Sequence, residues 1–194
     1  MKTVQIKTLM VPLADYATVD ENATMTEAVL ALEQSRNRFD KKKLKHRAIL
    51  VTDSKKRVVG RISYYDILHG LEPKYNEIEE LMHTINRNLG SRYHLVADYS
   101  PDLLQSQIQK YSLWQKPLGD LCGKAAASHA KDFMHIPCES DYIDEEAPLE
   151  QAIHQFVLIR TQSLLVRRGQ DIVGLLRLSD VVETIFDMIK EGCR

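Results

Sequence analysis

Two short runs hold the polar side chains best spaced for chemistry. Gly60-Arg61-Ile62-Ser63-Tyr64-Tyr65-Asp66 sets a hydroxyl and a carboxylate three residues apart where a helix should begin. A carboxylate there can accept from two vicinal hydroxyls, and a helix N-terminus favours an anion. The same Ser-x-x-Asp spacing is also a capping box, which needs no ligand. Gly174-Leu175-Leu176-Arg177-Leu178-Ser179-Asp180 keeps the aspartate but puts Arg177 where the first run has Ser63. A guanidinium offers a bidentate fork to a phosphate. It can equally fill the site or pair with a nearby carboxylate such as Asp180.

Other polar clusters say less. Residues 36–47 carry seven Lys or Arg in twelve positions (Arg36, Arg38, Lys41, Lys42, Lys43, Lys45 and Arg47), with only Phe39 and Leu44 interleaved. Such a run suits a polyphosphate or nucleic acid, or is a solvated loop; the sparse aromatics favour the loop. Cys122, His129, His135 and Cys138 fall within 17 residues, but their spacing fits no standard zinc finger or ribbon, so no metal is expected. There is no Gly-x-Ser-x-Gly elbow, phosphate-binding glycine loop or HExxH helix, so neither catalytic residues nor enzymatic activity are expected.

Composition narrows the classes further. The 194 residues are 44% hydrophobic and 27% charged, ordinary for a globular chain able to bury a core. A net charge of −1 gives no overall attraction to nucleic acid or an anionic membrane. No apolar run approaches the roughly 20 residues of a membrane span. Three cysteines without a CxxC pair argue against a disulfide framework, and a cytoplasmic location is expected.

The elements that must position Ser63 and Asp66 occur twice. Met10, Asp20-Glu21, Ala23 and Ala28 recur 124 positions later as Met134, Asp144-Glu145, Ala147 and Ala152. Ala48–Val51 recurs as Ser163–Val166, and Val58–Leu68 as Ile172–Val182. In the first copy the capping box Thr24-Met25-Thr26-Glu27 opens a helix with Met25, Ala28, Val29 and Leu32 on its buried stripe. A hairpin of two apolar runs around Asp53–Lys56 follows, then a helix from Ser63 to Leu71. In the second copy Pro148 lies in the first turn of a helix burying Leu149, Ala152, Ile153 and Phe156. Val181, Val182, Ile185, Phe186 and Ile189 line the last helix. Each repeat is strand–helix–strand–strand–helix. A unit that small should pack against its twin, giving an α/β (α+β) pseudo-twofold pair.

Residues 72–132 belong to neither repeat. Pro73 should open a helix with Ile78, Leu81, Met82, Ile85 and Leu89 on one face, ended by Gly90. Pro101 should open another, striped by Leu104, Ile108 and Tyr111, with Trp114 beyond. Gly119 to His129 reads as a connector. The domains are therefore 1–71, a helical insertion at 72–132, and 133–194.

The ordered set resembles a tandem pair of CBS domains (named for cystathionine beta-synthase), the arrangement called a Bateman module. The resemblance rests on Leu9-Met10-Val11-Pro12, Val19-Asp20-Glu21, the apolar hairpin and the Gly-x-apolar-Ser-x-x-Asp run ending at Asp66. It implies a regulatory module that binds AMP, ADP, ATP or S-adenosylmethionine between the repeats, with no cofactor required. By that resemblance Asp66 holds the ribose hydroxyls and Ser63 touches phosphate. The adenine lies against Ala17 and Thr18 with Arg47 and Ala48, or, in the second repeat, against Asp141 and Tyr142 with Gln162 and Ser163, near Arg177 and Asp180. It also implies a homodimer, and a regulated protein partner that the sequence does not name. Two other readings stay open: a ligand-free scaffold, which Arg177 favours, and nucleic-acid binding through the 36–47 loop.

Overall fold

The computed structural model of the chain describes residues 4–39, 48–78, 101–114 and 120–192. The basic residues of 40–47, Arg47 among them, and the expected helix face at 81–89 lie outside the described residues.

The first repeat forms β2 (Thr18–Asp20), α1 (Met25–Phe39), β3 (Ala48–Thr52), β4 (Val58–Ser63) and α2 (Tyr64–Leu71). The second forms β5 (Tyr142–Asp144), α6 (Leu149–Ile159), β6 (Ser163–Arg168), β7 (Asp171–Arg177) and α7 (Leu178–Gly192). Between them lie α3 (Pro101–Lys110), α4 (Leu121–Ala127) and the single turn α5 (Ala130–Phe133). In each repeat the short first strand runs parallel to the first hairpin strand, and the hairpin itself is antiparallel. Each parallel crossover carries its helix on one face of the sheet, as parallel strands require. The expected capping box forms: the Thr24 N–H donates to Glu27 Oε2 at 2.7 Å, and the Glu27 N–H to Thr24 Oγ1 at 3.3 Å.

The repeats are joined crosswise. The leading segment of each is built into the other. β1 (Val11–Pro12) extends the second repeat's sheet, pairing antiparallel with β7 through Val11↔Leu175 and Pro12↔Gly174. Its counterpart, His135, pairs with Arg61 of β4. Hydrogen bonds repeat with the same 124-residue offset. Ile6 N–H donates to Ala147 O at 3.0 Å and Ala130 N–H to Ala23 O at 2.8 Å; Leu149 N–H donates to Val4 O and Met25 N–H to Ser128 O. Glycine permits this approach. A Cβ on Gly174 would lie 2.6 Å from Val11 O, and one on Gly60 2.5 Å from Met134 Sδ and 3.1 Å from His135 O.

Three apolar clusters follow from that exchange. Ile6, fully buried, belongs to the second repeat's core with Ile143, Phe156, Leu164 and Leu176. Ala130 and Phe133 belong to the first repeat's core with Met25, Leu32, Ile49 and Ile62. Tyr16, Leu50, Leu165 and Leu175 form the seam between sheets. Burying a side chain such as Ile6 stabilises the pair by about 1.5–3 kcal/mol.

Three expectations are corrected. The stretch 119–129 is not a plain connector: Leu121–Ala127 is helical and packs on α1 and α2, because the alanine run Ala125–Ala127 favours helix. Val29 and Ile108, read as buried stripe positions, are exposed on α1 and α3. Pro148 is the residue capping α6 rather than inside its first turn.

Candidate functional site

At the first repeat, β4 ends where α2 begins, so Ser63 caps the helix. Its N–H and Oγ–H both donate to Asp66 Oδ2, at 2.7 and 2.6 Å. Asp66 Oδ1 takes no hydrogen bond among the described residues. Asp66 lines a cavity of about 400 Å³ shared with His69 of α2, Asn76 of the insertion, and Asp132, Met134 and His135 of the second repeat's leading segment. The crosswise joining is what brings those groups together. Ala48 sits directly opposite Ser63 in the β3–β4 register, and Thr18 opposite Leu50, whose N–H donates to Ala17 O. Ala17, Thr18, Ala48 and Ser63 thus cluster at one end of the sheet, but only Asp66 of this expected set forms the cavity wall.

At the equivalent place in the second repeat the aspartate is paired with a guanidinium. Arg177 Nε and Nη2 donate to Asp180 Oδ2 and Oδ1, each at 2.6 Å, in a buried bidentate pair. Tyr16 of the first repeat is buried beside them. Burial pushes its phenol well above the usual range; Arg177 pulls it down and Asp180 adds to the rise. Arg61 fills the space where the resemblance puts an adenine. Its Nη1 donates to Ser163 O at 2.8 Å and Ser163 Oγ at 3.2 Å, and its Nη2 to Asp141 Oδ1 at 3.1 Å and Thr161 Oγ1 at 3.3 Å. Asp141 Oδ2 meets His135 Nε2 at 3.0 Å and accepts from the Cys138 N–H at 2.9 Å. Burial opposes ionisation of Asp141, yet the His135 and Cys138 hydrogen bonds and the Arg61 charge together hold its carboxyl below the ordinary range. Tyr142 is placed elsewhere. With Arg167 stacked 5.7 Å from its ring centroid, it lines a separate cleft of about 590 Å³ between the two hairpin turns.

Sequence reasoning missed Arg61, Tyr16, His135, Asn76 and Asp132 as parts of these sites. Arg61 alone left a signal: it is a charge in an apolar strand where the other repeat has Leu175. Of the cysteine–histidine group, His135 and Cys138 meet on one oxygen of Asp141, at 3.0 Å from Nε2 and 3.4 Å from Sγ. The His129 N–H donates to Asp132, His135 is bound to Asp141, and among the described residues no group of three or more His, Cys, Asp or Glu is placed to hold a metal.

Residues 6–73 match the family model of the CBS domain. Solved structures similar over nearly the whole chain include CBS-domain proteins. A CBS domain-containing protein of unknown function from Bacillus anthracis is 14% identical, with a TM-score of 0.58 over 95% of this chain and 94% of that one. The CBS-pair protein CBSX2 from Arabidopsis thaliana is 16% identical, with a TM-score of 0.55 over 97% and 99%; a CBSX2 structure is also solved in complex with AMP. The CBS domain of a bacterial CNNM/CorC family Mg2+ transporter, solved in complex with ATP, is 12% identical, with a TM-score of 0.56 over 94% and 87%. No curated protein matches the chain by sequence. Residues 6–73 match the CBS domain in sequence, and the two repeats together have the fold of a CBS pair. Among the described residues no helix is long and apolar enough to cross a membrane.

Proposed function

We propose that the protein is a regulatory module that binds one adenosine-containing ligand (AMP, ADP, ATP or S-adenosylmethionine) at the Asp66 cavity. The observation that carries this reading is the contrast between the sites. Asp66 lines an open cavity between the repeats, whereas Asp180 is saturated by Arg177 and the adjoining space is filled by Arg61 and Tyr16. Occupancy would act through differential binding to two conformations or partner states, the only way a ligand shifts an equilibrium. CBSX2 with AMP and the transporter CBS domain with ATP support the adenosine class. Exposed apolar side chains on α2 (Tyr65 and Leu68) and α7 (Phe186 and Ile189) offer a surface for a second copy, and the reading includes a homodimer.

The scaffold reading keeps one observation in its favour, the closed Arg177–Asp180 pair. Thermal denaturation with a panel of adenosine compounds separates the two. At about 100 times Kd, a ligand that binds only the folded protein stabilises it by about 2.7 kcal/mol, a melting shift of roughly 5–11 °C for a chain this long. No shift with any adenosine compound sinks the nucleotide reading and leaves the scaffold.

A further inference from the structure

Resting on the adenosine reading above, we propose that the turn Tyr111–Trp114 is a latch that tightens when the Asp66 cavity is occupied, so that the segment between the repeats reports the ligand. α3 ends in two hydrogen bonds, Leu113 N–H to Ile108 O at 2.9 Å and Ser112 N–H to Gln109 O at 3.2 Å, which fold the chain back on its last turn. This is a Schellman closure, and its left-handed residue, most often glycine, is Ser112 with φ 52°. Two residues on, Trp114 is left-handed as well, with φ 55°. A bulky residue seldom adopts that backbone, and it persists only where its surroundings hold it there.

The groups that hold it belong to the stretch just after α2. Trp114 N–H donates to Glu72 Oε2 at 2.9 Å, its indole Nε1–H to Tyr75 Oη at 3.1 Å, and Lys74 Nζ to Ser112 O at 3.0 Å. Glu72 is buried, so its carboxylate has exchanged water for that amide. Lys124 of α4 donates to Leu71 O at 3.0 Å and lies 5.8 Å from the Trp114 ring centroid.

The same stretch is a wall of the cavity. His69 and Asn76 line it, and Glu72, Lys74 and Tyr75 lie between them in sequence. The His69 and Tyr75 rings are 5.9 Å apart, and Tyr75 meets Trp114 edge-on at 6.5 Å. A ligand packed on His69 and Asn76 therefore steadies the residues whose side chains hold Trp114. A strained backbone offset by these hydrogen bonds lies near balance, the condition under which a modest input moves a two-state element. Coupling is reciprocal: if occupancy tightens the latch, breaking the latch must weaken binding.

The test uses the full chain, whose one tryptophan is Trp114. Acrylamide quenching of its emission should fall on saturation with whichever of AMP, ADP, ATP and S-adenosylmethionine gives a melting shift. Tyr75→Phe keeps a ring beside His69 but removes the acceptor of the indole N–H, and should weaken that compound about fivefold by calorimetry. Trp114→Phe should weaken it similarly, and the double variant little further, because the two side chains act as one contact. A compound that raises the melting temperature yet leaves Trp114 quenching, or both variants' affinities, unchanged overturns the latch while the adenosine reading stands. Fully additive losses in the double variant overturn it too. If none of the four compounds binds, both fall. Should a variant not fold, the quenching of the parent chain decides.

Discussion

Ser63–Asp66 and Arg177–Asp180 occupy the same position in two copies of one design, yet one is a light hydrogen-bonded cap and the other a buried ion pair. The first leaves a carboxylate oxygen without a bond among the described residues, beside a cavity; the second uses both oxygens on a guanidinium. The neighbours diverge in the same direction. Arg61 reaches into the second crevice, whereas its counterpart, Leu175, lies in the apolar seam. Tyr16 is buried beside Arg177, whereas its counterpart, Ser140, is exposed. The same position thus borders a cavity in one copy and holds an ion pair in the other.

The contrast is most severely tested by cutting each aspartate. Asp180→Ala strands a buried guanidinium and should cost about 3–5 kcal/mol. Asp66→Ala removes only a cap and should cost about 0.5–2 kcal/mol while abolishing ligand response. Equal losses in denaturant titrations would show that the two sites are not so different. Next come the glycines. Gly174→Ala drives a methyl against the backbone oxygen of Val11 and should cost about 1–3 kcal/mol. Gly60→Ala first meets the flexible Met134 thioether, which can move, although His135 O is also near, so it should cost less.

A smaller effect concerns acid. Asp141 has a depressed carboxyl pKa in the fold, with Arg61, His135 and the Cys138 amide facing it. Its contribution is therefore complete above the ordinary carboxylate value, near 3.9. It fades as pH falls from there through the depressed folded value. Asp141→Asn should flatten the stability profile below about pH 4 relative to the parent; an unchanged acid limb would remove Asp141 from the interlock. The subtlest change is one of stoichiometry. Arg177→Ser with Arg61→Leu gives the second crevice the residues found at the first, and binding should rise from one ligand per chain to two. A count that stays at one would mean that Tyr16 alone suffices to close the crevice.

Much of this was legible in the residues. The 124-residue echo located both repeats, and alternating apolar runs around Asp53–Lys56 and Gly169–Gln170 gave the hairpins, because local periodicity reports local structure. The Thr24–Glu27 and Ser63–Asp66 boxes formed as their spacing required. What stayed hidden was long-range. That Ile6 would complete the core around Phe156, or Phe133 the core around Leu32, depends on a pairing between segments more than a hundred residues apart, which no window of sequence contains. Arg61 showed as a charge in an apolar strand, but its partners stayed hidden for the same reason, since its four side-chain acceptors all belong to the other repeat.

The exchanged leading segments have a consequence for descent and for dissection. A single repeat of this pattern, expressed on its own, would present an unfilled slot and carry a loose strap shaped for someone else's slot. It would complete itself by trading straps with an identical molecule, so the ancestor implied here is an interlocked twin whose genes later fused end to end. Severing the backbone between 72 and 120, ahead of the strap that begins near Ser128, should then leave the two halves still clasped.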